Sequence, residues 1–453
     1  MLTDFSSLAK DINIPTENLK KFVQDFELNI DSVINDKMQA TPEFTKFVKE
    51  QKDFLSKYSS DLGKEKTPKD IAETISKPIE EVDDLINKEH KNLFDNGLYK
   101  ASVSSYNIDR ELGGDYQFVY DYFGKKTPLF QKDFIGYSDL YFYIIDMLEP
   151  FTDENQLNNW GIHRAAGIIL YGPPGSGKIF WAKRIAKIID YKFEEIRKSY
   201  LKTNFFNNEK SDFNDFLVSI MKQEKILLFL DDFDVIMEEK ESQDGYAWEL
   251  KETKNIIFHT IDKFEKEHIL MIGAAKNVSD IDSEILAPGR FDVMIPIFPP
   301  NPQERAEMIL YYMLQNLSED ATLLEVLKFN KADQLPFWRE SANKMKAFSN
   351  TMIIDFTQSL KKRIRNLYLK KEVTTLKIDQ TILDAALKEA AGKLTQEYLN
   401  SIHLFLQEVS INSEEEFYPR ILTLQQELQF YIRKEEPVRS IGFNKDENPE
   451  NNS

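Results

Sequence analysis

Residues 167–189 read GIILYGPPGSGKIFWAKRIAKII, and the fold turns on that stretch. Gly167 to Tyr171 is a short apolar run suited to a buried strand, and Trp181 to Ile189 carries helical spacing. Between them Gly172, Gly177 and Lys178 meet the spacing G-x-x-x-x-G-K, with Pro173, Pro174, Gly175 and Ser176 filling the loop. Glycines there let the backbone turn its N–H groups inward around a phosphate, at a helix N-terminus that already favours anions. Lys178 would place its ammonium on β and γ phosphates. The next position normally supplies a Ser or Thr hydroxyl to Mg2+, and here it is Ile179. Magnesium keeps several waters, and one more can replace that hydroxyl. Binding of ATP or ADP should survive, with weaker metal affinity.

A second apolar run, Ile226 to Leu230, ends in Asp231 and Asp232. Acidic side chains at the carboxyl end of a buried strand face the crevice where ligands bind. Asp231 is the candidate partner of Mg2+ through water, and Asp232 the candidate for orienting or activating the attacking water. The alternative is a solvated turn after a core strand. A third strand pattern, HILMIGAAKN, leads into VSDIDSEILAPGRFD. Alternation of helical and β-branched segments from Asp133 to about Pro300 predicts a parallel sheet flanked by helices.

The order YGPPGSGK, LLFLDDFD and GAAKNVSDIDSEILAPGRFD resembles the AAA family of ATPases, in the branch with the second region of homology. The resemblance covers about Asp133 to Gln396. It implies an α/β P-loop NTPase core with an α-helical lid, and a ring, by family analogy a hexamer. The segment DFIGYSDL resembles the family's N-terminal lip for the nucleotide base, which points to Phe134, Ile135 and Gly136. Asp232 stands where the family generally has a glutamate, and Lys276 where it has an asparagine that senses the γ-phosphate; Asn277 is adjacent. The family's arginine pair falls on Ala287 and Arg290. Arg290 is either a finger reaching a neighbouring subunit's site or a structural ion pair. A substrate-gripping pore loop would fall at Phe205 and Phe206, which could equally be core phenylalanines. AFSNTMIIDF, Ala347 to Phe356, resembles the start of the lid helix. The KKRIR cluster after it, Lys361 to Arg365, faces nucleotide, a neighbour or, by default, solvent.

Outside that module the chain is helical in pattern. Leu8–Val23 superposes without gaps on Ile71–Ile86, pairing Leu8 with Ile71, Ile12 with Ile75, Leu19 with Val82, Phe22 with Leu85 and Pro15 with Pro78. Two repeated helix-turn-helix-like units, near 2–34 and 67–88, are therefore expected within an all-α N-terminal region, residues 1–132. Each holds three Lys against six Asp or Glu. That charge disfavours DNA binding and leaves a partner-protein adaptor or plain packing. The α/β domain is expected over 133–300, the lid over 301–396, C-terminal helices over 397–434 and a disordered tail over 435–453.

The whole sequence, 453 residues with net charge −18, disfavours sequence-independent nucleic-acid binding. It holds no cysteine, no H-E-x-x-H and no apolar run near the ~18 residues a membrane span needs. Those features exclude thiolate chemistry and the zinc-protease class, and a cytoplasmic location without membrane contact is expected. Two functions remain. One is an oligomeric ATPase that remodels an unknown protein substrate or adaptor recruited by the repeats. The other is a nucleotide-binding scaffold with little turnover, suggested by Ile179, Asp232, Lys276 and Ala287.

Overall fold

A computed structural model describes residues 3–62, 67–86, 94–95, 98–99, 117–124, 135–151, 159–160, 166–196, 212–223, 225–238, 246–264, 268–291, 293–371, 375–412 and 414–435. Phe134, Phe205, Phe206 and all of the expected tail after Glu435 lie outside these residues.

The Gly167–Tyr171 run is a strand, β3, and it is an interior strand of a five-stranded, all-parallel sheet. The others are β4 (Lys192–Glu195), β5 (Ile226–Leu230), β6 (Ile269–Ala275) and β7 (Val293–Pro296), in the order β4-β5-β6-β3-β7. Every residue of β3, β5 and β6 is buried, because helices cover both faces of a parallel sheet. The order places the carboxyl ends of β3, β5 and β6 side by side, with Ile168 paired to Ile272 and Leu228 to Met271. The expected α/β core is therefore present.

The N-terminal helices are α1 (Thr3–Asp11), α2 (Thr16–Asp25), α3 (Ile30–Val33), α4 (Pro42–Glu50), α5 (Lys52–Asp61), α6 (Pro68–Ile75), α7 (Ile79–Leu85) and α8 (Gln117–Gly124). The repeat is real in the backbone. Asn13 and Ser76 both take left-handed conformations (φ 59° and 56°), and Pro15 and Pro78 both precede the second helix. The same turn bond closes each unit, Ile14 N–H to Ala9 O and Lys77 N–H to Ala72 O, both 3.0 Å. Within this helical region Phe94–Asp95 (β1) and Leu98–Tyr99 (β2) also pair antiparallel.

The two units differ in surroundings. The first joins the main core through Phe5, stacked on Phe44 and tilted against Phe142. Among the described residues, Ile71, Ala72, Val82 and Ile86 of the second unit are buried but lie outside that continuous core. The first unit docks on α9 (Ser138–Met147) and α10 (Lys178–Ile188). Lys20 meets Asp146 (2.9 Å), Asp31 meets Arg184 (3.3 Å) and Asp36 meets Lys187 (2.8 Å).

Further helices are α11 (Asp212–Ile220), α12 (Phe233–Ile236) and α13 (Tyr246–Phe264) around the sheet. Residues 301–396, where the lid is expected, hold α14 (Pro302–Leu314), α15 (Thr322–Phe329), α16 (Arg339–Lys344), α17 (Asn350–Lys371) and α18 (Gln380–Ala390). The chain then forms α19 (Gln396–Asn412) and α20 (Glu414–Glu435). Asn301 caps α14 reciprocally with Glu304, and Pro302 sits at its first turn, where a missing N–H is harmless.

The last helix is locked by charge. Arg420 is buried and bridges Asp139 of α9 and Glu304 of α14, with NH2 2.6 Å from each carboxylate. Burial alone would raise the Asp139 pKa, but the Arg420 charge and hydrogen bonds outweigh it and hold the carboxyl below its usual value. Arg305 pairs with Glu427 in the same way. Removing one member of such a buried set strands the others. Arg420→Ala should therefore destabilise the protein by ~3–5 kcal/mol, read as a lower denaturant midpoint. Arg363→Ala, which removes an exposed pair with Glu389, should leave the midpoint nearly unchanged.

Candidate active site

The strand ends open into a cavity of about 570 Å³ between the sheet, Ile135 and Tyr137, and helices α14 and α17. Its floor is the loop from Gly172 to Gly177. Gly172, Gly175 and Gly177 have φ of 153°, 76° and 99°, values that L side chains rarely adopt. A Cβ on Gly172 would stand 2.3 Å from the Ile297 carbonyl oxygen, and one on Gly175 2.4 Å from the Thr351 hydroxyl. The glycines thus serve both the loop's curvature and the close approach of lid and sheet.

Lys178 opens α10 and lines the cavity. Its Nζ donates to the Gly172 and Pro173 carbonyls, at 2.7 and 3.2 Å. Burial lowers its pKa to about 8; Asp231, Asp234 and Asp232 oppose the shift, and Lys276 adds to it. Ile179 and Phe180 follow at the rim, 39% and 47% exposed, so an apolar edge stands where a hydroxyl was expected. Pro174 lines the mouth. Ser176 is fully buried, its Oγ without a hydrogen-bond partner among the described residues.

Asp231, exposed at the end of β5, and Asp232 beside it line the cavity with Lys178. Asp232 caps α12 in a left-handed conformation (φ 54°) that aspartate tolerates better than most residues. Lys276 ends β6 exposed at the cavity, whereas Asn277 donates to Asp280 (3.3 Å) and is not among the lining residues. Ile135 also lines the cavity; Gly136 (φ 68°) packs where a Cβ would meet Glu304 at 2.6 Å.

Arg290 lies elsewhere. Its carbonyl accepts from Gly167 N–H at the start of β3 (2.8 Å), whereas the glycine loop follows the strand's end, about 16 Å away at 3.3 Å per residue. Its guanidinium meets Glu284 (3.6 Å) and sits over the Phe258 ring. Ala287 accepts from Arg290 N–H in the same turn. Of the KKRIR cluster, Arg363 pairs with Glu389 on the lid surface.

Sequence reasoning missed several lining groups. Asp234 is buried, accepts Lys276 N–H through Oδ2 (2.9 Å), and keeps Oδ1 without a hydrogen-bond partner among the described residues. Its place in LDDFD was the available signal. Asn350, at the start of α17, donates from Nδ2 to Ser176 O (2.9 Å) and lies 3.2 Å from the Tyr137 hydroxyl. Tyr311 and Tyr312 of α14 and Gln315, which follows it, also line the cavity, and no local motif marks them.

The glycine loop and the Lys178 ammonium fit a polyphosphate, whereas the carboxylates opposite would repel one unless a divalent cation lay between. The cradle has three glycines with positive φ, a lysine whose hydrogens rest on the loop's own carbonyls, and three carboxylates opposite. The model of the ATPase family associated with various cellular activities (AAA) matches residues 168–298. The proteasome-activating nucleotidase of Methanocaldococcus jannaschii is 29% identical over 185 residues, 40% of this chain and 43% of that protein. The 26S proteasome regulatory subunit 8 homolog of Schizosaccharomyces pombe is 30% identical over 163 residues, 35% of this chain and 40% of its own length. The ATP-dependent zinc metalloprotease FtsH 2 of a Thermoanaerobacter species is 26% identical over 325 residues, 70% of this chain and 62% of its length. The chain thus spans about two fifths of the first two relatives.

A lysine with a pKa of about 8 that returns toward its ordinary value on meeting phosphate takes up a proton on binding at higher pH. ADP affinity should accordingly fall between pH 7 and 9.5, by about thirtyfold at one decade per pH unit above 8. Isothermal titration across that range tests this, and Lys178→Ala should bind weakly with the pH dependence flattened.

Proposed function

The chain carries an AAA-family ATPase domain over residues 168–298, and from that premise we propose that it binds ATP in the cavity above β3, hydrolyses it slowly and uses the cycle to remodel a protein partner within an oligomeric ring. The observation that carries the reading is the convergence of Lys178, Asp231, Asp232 and Lys276 on one cavity, floored by glycines and roofed by the lid helix α17.

The roles follow from position. Loop N–H groups and Lys178 hold the phosphates, and the lysine exchanges the Gly172 carbonyl for a phosphate oxygen. Asp231 would hold magnesium through water, and the metal, when bound, neutralises charge on the phosphate oxygens. Ile179 adds no oxygen to that set, so the metal is held by fewer protein atoms. Asp232 orients the attacking water, and its side chain is one methylene shorter than a glutamate. Ile135 and the α14 tyrosines enclose the base.

Arg290 is too far along β3 to serve its own chain's site. Any part it plays in hydrolysis is in a neighbour's site, after release from Glu284. The ring and hexameric order rest on family analogy. Partner recruitment falls to the second N-terminal unit, because the first is already docked on α9 and α10. The Arg290–Glu284 pairing and the apolar Ile179 favour a second reading, a nucleotide-gated scaffold with little turnover.

Phosphate release from Mg-ATP by the purified full chain decides between them. The motor reading expects slow turnover that Asp231→Asn abolishes, and Ile179→Thr should lower the Mg2+ concentration giving half-maximal rate. Tight ATP binding with no turnover under any assembly condition would leave only the scaffold.

A further inference from the structure

The loop after β6 carries Lys276 to the cavity, and its backbone is held from two sides by carboxylates. Asp234, at the start of α12, takes the Lys276 N–H through Oδ2. From the other side Glu408, on the C-terminal helix α19, takes two more with one oxygen, Val278 N–H at 2.8 Å and Ser279 N–H at 2.9 Å. Hydrogen bonds from backbone N–H groups to an ionised carboxylate are stronger than those between neutral groups.

The same face of α19 reaches the phosphate loop. Phe405, one turn before Glu408, packs edge-on against Tyr171 with centroids 5.8 Å apart, and Tyr171 is the residue that leads into Gly172. Phe405 also meets Phe298, just past β7. One helix beyond the family-matched segment therefore touches both the entry to the phosphate loop and the loop bearing Lys276.

The grip is incompletely satisfied. Glu408 Oε2 and Asn277 Oδ1 are buried without a hydrogen-bond partner among the described residues. Both are acceptors, so neither can satisfy the other. Each needs a donor, either a trapped water or an N–H brought in when the loop shifts.

We propose that Glu408 is a positioning residue for the nucleotide site: it sets the loop 276–279, and through it Lys276, so that the site distinguishes a γ-phosphate from its absence. The proposal rests on the nucleotide reading above. It makes the C-terminal helices part of the nucleotide site, so a displacement of α19 at a subunit boundary would reach Lys276 through one side chain.

The test compares full-length wild type, Glu408→Ala, Glu408→Gln and Leu404→Ala, an exposed change on the same helix. The readouts are ATPγS and ADP affinities with Mg2+ and amide hydrogen exchange at Val278 and Ser279. Glu408→Ala should lose protection at those two amides and lose preference for ATPγS over ADP by about tenfold, with ADP affinity nearly constant. Glu408→Gln, which still offers an oxygen, should restore most of both, and Leu404→Ala should match wild type. Should Glu408→Ala fail to fold, Glu408→Asp, which withdraws the carboxylate by one methylene, carries the same comparison. An unchanged nucleotide preference in a folded variant overturns the proposal. So does an equal loss of both affinities with protection lost throughout the chain, which marks plain structural support. If wild type binds neither nucleotide, the functional reading falls first and this one with it.

Discussion

A buried guanidinium holds the site together. Arg420 lies between Asp139 and Glu304, and Glu304 also accepts Tyr137 N–H at 2.7 Å. The Tyr137 hydroxyl lies within hydrogen-bond range of Phe298 O and Asn350 Oδ1, and Asn350 reaches the Ser176 carbonyl. Lip, lid and phosphate loop are thus joined by one polar chain anchored on a helix some 240 residues away in sequence. Each of these groups would be unfavourable in the interior alone, and each is acceptable because the next satisfies it. The cavity's shape depends on that mutual satisfaction more than on the loop by itself.

The α/β core was legible because its signals are local. A buried strand, a glycine loop and a helix lie within residues 167–189, and the β5 run ends directly in Asp231 and Asp232. The N-terminal repeat was legible for the same reason, since Pro15 and Pro78 mark turns that the backbone reproduces. What escaped is long-range. Arg420 reads as an ordinary charge near a helix end, and only packing against residues 139 and 304 gives it a role. Glu408 sits in LFLQEVS with no spacing that marks it. Asp234 was visible as the third acid of DDFD, but one aspartate more in an acidic turn carries little information until its burial is known. The β1–β2 pairing escaped because two-residue strands are too short to establish a period.

The docking of the first N-terminal unit changes how the molecule couples. Asp31 and Asp36 contact Arg184 and Lys187 on α10, the helix whose first residue is Lys178. The phosphate loop therefore has the N-terminal region behind it, the lid above it and α19 beside it. A nucleotide that shifts the loop by a fraction of an ångström meets three packed elements, and packed interfaces respond by switching arrangement rather than by bending. That is the physical basis for the proposed link between the cavity and a partner. It also explains how a site with no hydroxyl at position 179 keeps a role in nucleotide-dependent structure even with slow chemistry.

The central claim is that polyphosphate occupies the loop between Gly172 and Lys178. A structure of the full chain solved with ATPγS and Mg2+ tests it most directly. The account predicts phosphate density enclosed by the loop's N–H groups beneath Asn350, with the Lys178 ammonium moved off the Gly172 carbonyl onto a phosphate oxygen. Nucleotide density elsewhere, or a loop without ligand at saturating ATPγS and Lys178 still on Gly172, would contradict it.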